Sequence, residues 1–176
     1  MLNIPGATPA DTLIIGCGNL IRGDDAAGPI LVRRLADVAL PDGVRLLDGG
    51  TAGMDVAFAM RGVRRVILVD ASNLGVEPGT IHRVPGEELM DLEPPSGNLH
   101  QFRWDQALGF ATWLLKEDYP DEVEVWLIEG ACYDAGADLT EAVDEAVDRV
   151  ARAICATVAE SGPSGVVDNL EPLDVE

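Results

Sequence analysis

The chain has 176 residues, 47% of them hydrophobic, which suits one globular domain burying roughly 70% of its unfolded surface and excludes intrinsic disorder for most of its length. Twelve basic against 31 acidic side chains give a net charge of −19, with residues 1–81 carrying 7 and 9 of them and residues 82–176 carrying 5 and 22. The strongly negative second half repels phosphate backbones and anionic lipid, so nucleic acid and membrane surfaces are excluded as partners.

The longest dominantly apolar run, Leu108 to Leu115, falls far short of the roughly 20 residues of a membrane helix. The N-terminal MLNIPGATPAD has neither a basic n-region nor an apolar h-region, and a cytoplasmic protein is expected. Cys17, Cys132 and Cys155 lack CxxC spacing and read as reduced thiols rather than a disulfide framework or a thiolate zinc site.

In chain order, TLIIGC over residues 12–17 predicts a buried parallel strand. After the loop GNLIRGDD, apolar Ile30, Leu31, Leu35 and Val38 predict a helix from Asp25 to Ala39, ended by Pro41, Asp42 and Gly43. Val44 to Leu47 predicts a second strand, the turn DGGT follows, and AGMDVAFAM predicts a second helix. RVILVDA, Arg65 to Ala71, is the most buried-looking strand. About seven residues separate it from the extended run Gly79 to Val84, too few for a parallel crossover, so the fourth strand is expected to run antiparallel to the third. An irregular stretch from Pro85 to Asn98 precedes a helix near Asp105 to Lys116 and a fifth strand at Glu122 to Ile128. The last helix, Leu139 to Ala159, puts Val143, Val147, Val150 and Ile154 on one stripe. Alternating strands and helices predict a three-layer α/β/α sandwich around a mostly parallel sheet. No repeat or linker divides the chain; residues 1–159 are expected to form one domain and residues 160–176 an acidic, mobile tail.

In open α/β sheets, sites collect beyond the carboxyl ends of the strands. The loops there are GCGNLIRGDD, DGGTAG and DASNLG, with Asn98-Leu99-His100-Gln101 as a fourth candidate. The first loop imitates the dinucleotide fingerprint through Gly16 and Gly18 but has Ile21 where the third glycine belongs. Asp24 and Asp25 also put negative charge where a pyrophosphate needs bare amides. Asp24 is accounted for as a helix cap; Asp25 is free for chemistry if it faces the sheet end. Asp70 reads either as a cap of the turn after its strand or as a ligand. Asp25, Asp70 and His100 together make a hard to borderline donor set suited to nickel, zinc or manganese, with open coordination positions. The glycines of Asp48 to Thr51 allow either close approach of a substrate backbone or an ordinary strand-to-helix turn. No serine elbow GxSxG is present, and Cys17 reads as a small buried thiol.

The segments LIIGCGNLIRGDDAAGP, LLDGGTAGMD, VILVDAS and NLHQ, in this order, resemble the hydrogenase maturation proteases, the endopeptidases that process the large subunit of nickel-iron hydrogenases. The resemblance spans about residues 12–155. It implies a five-stranded mixed sheet with the fourth strand antiparallel. It also implies that Asp25, Asp70 and His100 are the metal-contacting and catalytic residues; of the two readings of the DGGT stretch, close approach of substrate would make Gly49, Gly50 and Thr51 the substrate-binding residues. The metal is nickel, supplied by the precursor of the large subunit, and no organic cofactor is implied. The enzyme would recognise nickel in that precursor and remove its C-terminal extension; a non-catalytic nickel-sensing chaperone on the same fold is the alternative. After strand five the chain reads Ile128-Glu129-Gly130-Ala131-Cys132-Tyr133 where the family usually has a G-x-Q-P-like stretch, which leaves the role of this segment open.

Overall fold

Five strands form a single sheet in the order β2-β1-β3-β5-β4. They are β1 (Thr12–Cys17), β2 (Val44–Gly50), β3 (Arg65–Ser72), β4 (Ile81–Pro85) and β5 (Glu122–Glu129). The computed structural model describes residues 11–89 and 104–160. β1 pairs in parallel with β2 and β3, and β3 in parallel with β5. β4 lies at the edge and runs antiparallel to β5, with Ile81 opposite Ile128. It therefore runs opposite to β3, the direction dictated by the short β3–β4 connection.

The helices are α1 (Ala27–Ala36), α2 (Gly53–Ala59), α3 (Trp104–Leu115) and α4 (Glu141–Glu160). Both faces of the central strands are covered, which is why β1 and β3 are uninterrupted buried runs. Successive side chains alternate between two cores: Ile14, Ile67, Val69 and Ile128 pack with α1 and α4, whereas Leu13, Ile15, Val66 and Leu68 pack with α2 and α3. The α4 stripe of Val143, Val147, Val150 and Ile154 is fully buried, each side chain contributing roughly 1.5 kcal/mol or more through area removed from water. α1 lies unusually close to the sheet because residue 28 is glycine. A Cβ there would meet the carbonyl oxygens of Cys17 at 2.3 Å and Val69 at 2.5 Å.

Several boundaries differ from the sequence reading. α1 is preceded by a separate 3-10 turn over Gly23–Ala26 and stops at Ala36. α4 starts at Glu141, since Leu139 and Thr140 belong to the connection that docks against the first loop. Asp48, Gly49 and Gly50 continue β2 rather than forming a turn. Gly16 pairs with Asp48 and Cys17 with Gly50, so Gly49 is the extra residue of a bulge. The expected tail lies outside the described residues, apart from Glu160, which ends α4.

Candidate active site

The strand order reverses between β1 and β3: α1 carries the chain outward to β2 on one face, and α2 returns it across β1 to β3 on the other. A crevice opens outside the carboxyl ends of strands at such a switch point. The pocket found there is lined by Cys17, Gly18, Arg22, Asp25, Gly50, Thr51, Gly53, Val56 and Asp70.

Each carboxylate reaches the pocket for a local reason. Asp70 is the penultimate inward residue of β3, on the same side as Val66 and Leu68, so pleat alternation points it toward the α2 face. It is 5% exposed, and its Oδ1 accepts the Ala71 amide at 2.8 Å. Asp25 sits in the 3-10 turn after β1, where its Oδ2 accepts the Asn19 amide at 3.1 Å and closes the loop over Gly18. Residue 18 must be glycine: its φ is +127°, and a Cβ would lie 1.8 Å from the Asp25 carbonyl oxygen and 3.3 Å from Asp70 Oδ1. The Gly18 amide donates to the Gly50 carbonyl at 2.8 Å, tying the ends of β1 and β2 together beneath the pocket.

Asp25, Asp70, Gly50 and Thr51 are thus brought to one cavity. Gly49 lies behind its wall, buried against Ile15, Val56 and Cys17. His100 lies outside the described residues. Among the described residues, no group of three or more His, Cys, Asp or Glu is placed to hold a metal ion; the pocket offers two carboxylates, oxygen donors suited to a divalent cation whose remaining ligands come from elsewhere. Cys17 is 2% exposed, and burial, followed by the charges of Asp70 and Asp48, raises its thiol pKa well above the ordinary value. A neutral thiol in that position is a poor nucleophile.

Asp24 is not the cap of α1. Its side chain turns away from that helix and, fully buried, accepts the amides of Ala131 at 2.7 Å, Cys132 at 2.9 Å and Thr140 at 2.7 Å, together with the Thr140 hydroxyl. Three amides outside its own helix compete better for a carboxylate than one first-turn amide does.

Glu129, named in the sequence only as part of the segment after strand five and given no role there, is 1% exposed and lies beneath the loop after β3. Its carboxylate accepts the Ser72 hydroxyl at 2.8 Å and the amides of Leu74, Gly75 and Val76. Burial pushes its pKa up, but these bonds to the ionised form outweigh burial and leave the pKa below the ordinary value. An acid directly after the apolar run Val125–Ile128, at the carboxyl end of a central strand, was the available signal. Arg22, also not anticipated, lines the pocket with its guanidinium donating to the Tyr133 carbonyl at 3.2 and 3.3 Å.

Comparison with known proteins points in one direction. The sequence pattern of a family described as hydrogenase maturation protease matches residues 29–157, a stretch that includes Asp70 and His100 and begins beyond Asp25. A hydrogenase expression/formation protein, HupM of Azotobacter chroococcum, is 31% identical over 160 residues, 89% of this chain and 75% of that protein. The hydrogenase 3 maturation protease of Escherichia coli is 34% identical over 83 residues, 46% of this chain and 52% of that one. The chain thus spans between about half and three quarters of the length of such curated relatives. Among solved structures, the hydrogenase maturating endopeptidase HybD of Escherichia coli superposes with a TM-score of 0.72 at 28% identity, covering 86% of this chain and 93% of that one.

Proposed function

The chain belongs to the hydrogenase maturation protease family, whose members are peptidases, and from that premise we propose that it recognises nickel in the precursor of a nickel-iron hydrogenase large subunit and removes the C-terminal extension of that precursor. The observation that carries this reading is the convergence of Asp25 and Asp70, 45 residues apart, on one pocket at the switch point of the sheet. Two carboxylates, with no closed cage among the described residues, suit a cation that belongs to the substrate, because its other ligands then come from the precursor. His100 is proposed as the third donor. Gly50 and Thr51 are proposed to lie along the substrate backbone, with Gly49 supporting them from behind. A cation held between enzyme and precursor would polarise the scissile carbonyl and orient water, with a carboxylate as base.

The three free thiols suit a reducing compartment, and we place the reaction in the cytoplasm. No helix among the described residues is long and apolar enough to cross a membrane. The deciding experiment incubates the purified protein with nickel-loaded large-subunit precursor and follows the precursor's intact mass. A mass loss equal to a C-terminal peptide is expected with nickel present and not with nickel-free precursor. An unchanged mass, under conditions where an authentic maturation protease cuts its own substrate, would overturn the reading in favour of the chaperone.

A further inference from the structure

Residues 129–133, the last residue of β5 and the four that follow it, do not line the pocket, yet they touch both segments that carry its carboxylates, the turn after β1 and the end of β3. On one side, Asp24 accepts the amides of Ala131 and Cys132, and its own amide donates to the Cys132 carbonyl at 2.8 Å. The turn that bears Asp25 is thereby stitched to the segment in both directions. On the other side, the Tyr133 hydroxyl and the Gly130 amide, the latter at 2.9 Å, both donate to the Ser72 carbonyl, two residues beyond Asp70. Glu129 grips the Ser72 hydroxyl and the Leu74 and Gly75 amides.

The sheet alone does not connect the two carboxylates. The β1–β3 ladder ends at Gly16 opposite Val69, short of both Asp25 and Asp70. The β3–β5 ladder continues to Ser72 opposite Glu129, so Asp70 is held to β5 and the chain leaving β5 reaches across to the Asp25 turn. We propose that residues 129–133 are a brace that sets the position of Asp25 relative to Asp70, with Asp24, Glu129 and Tyr133 as positioning residues for the carboxylate pair. The inference rests on the assignment of that pair to the substrate's nickel.

Tyr133→Phe tests it: the substitution deletes the hydroxyl that reaches Ser72 and keeps the ring and the carbonyl that holds Arg22. Glu129→Gln is the second variant, read if the first does not fold. Two quantities are measured on the full chain: cleavage of nickel-loaded precursor, and amide hydrogen exchange at Asn19, whose N–H binds Asp25 on the far side of the brace from Ser72. Loosening the brace is expected to lower kcat by about tenfold with KM changed less than about twofold, because binding surfaces stay while geometry at the reacting bond slips. Asn19 exchange should quicken at least about fivefold while exchange in β3 stays as in the wild type. Wild-type exchange at Asn19, wild-type kcat, or a kcat loss matching only the unfolded fraction overturns the brace. A wild-type protein that cuts no precursor overturns the proposed function instead, and the brace is then judged by Asn19 exchange alone.

Discussion

Asp24 and Thr140 are 116 residues apart in the chain, yet one carboxylate oxygen of Asp24 accepts the Thr140 amide at 2.7 Å at the entrance to α4. The acid next to a proposed substrate-contacting residue therefore anchors the residue just before α4, and it does so from within the loop that forms the pocket. Adjacent aspartates thus face different ways, Asp24 into buried amides and Asp25 to the pocket.

That difference is measurable. Asp24→Ala leaves three amides of the post-β5 connection without their acceptor and should cost about 3–5 kcal/mol in urea unfolding. Asp25→Asn, at a partly exposed position, should change stability by less than about 1 kcal/mol while cleavage of the precursor falls by about a hundredfold or more.

Asp70→Asn keeps the size of the side chain and an oxygen for the Ala71 amide, so circular dichroism should match the wild type. Cleavage should again fall by about a hundredfold or more, since the carboxylate charge is what the substitution removes. Full activity in either asparagine variant takes that residue out of the site.

Gly18→Ala tests the geometry between the two. The added Cβ meets the Asp25 carbonyl at 1.8 Å in a left-handed backbone, so the loop must shift. We expect a loss of about 2 kcal/mol or more in stability and loss of cleavage even at temperatures where the variant is fully folded.

Cys17 provides a control. Its buried, raised thiol should resist a thiol reagent at neutral pH in the folded protein and react once urea is added, and Cys17→Ala should retain cleavage. Loss of activity with folding intact would restore a nucleophilic role to the thiol.

The two inner groups of the brace carry opposite pH signatures. Glu129 has its pKa lowered in the fold, so its contribution is complete above the unfolded value and is lost as pH falls through the folded one. Unfolding measured at pH 7 and again below pH 4 should show Glu129→Gln losing less stability between the two than the wild type. The Tyr133 phenol is pushed up to about 12 by burial and by the Glu129 charge. Its contribution is complete below the unfolded value near 10 and is lost as pH rises through about 12. Absorbance at 295 nm should therefore show a phenol ionising near pH 12 in the folded protein, a phase that is missing in Tyr133→Phe.

What the sequence determined by itself was whatever local pattern carries: five strands, four helices, the antiparallel sense of β4 from a short connection, and the placement of Asp25 and Asp70 at carboxyl ends of strands. Short apolar runs flanked by strand and helix alternation suit strands covered on both faces, so the sandwich was legible around LIIGC and VILV. Only the tertiary structure decided where each acid is placed and which amides it accepts. Asp24 and Asp25 are chemically identical neighbours, and the choice between them depends on amides contributed by residues 131, 132 and 140. Glu129, in a segment whose role the sequence left open, is held by the amides of residues 74–76. Likewise, the continuation of β2 through Asp48-Gly49-Gly50 depended on the partner strand rather than on glycine's preference for turns. Hydrogen-bond partners far apart in sequence leave no periodic trace, whereas burial does, and that is why the layers could be read from the sequence and the brace could not.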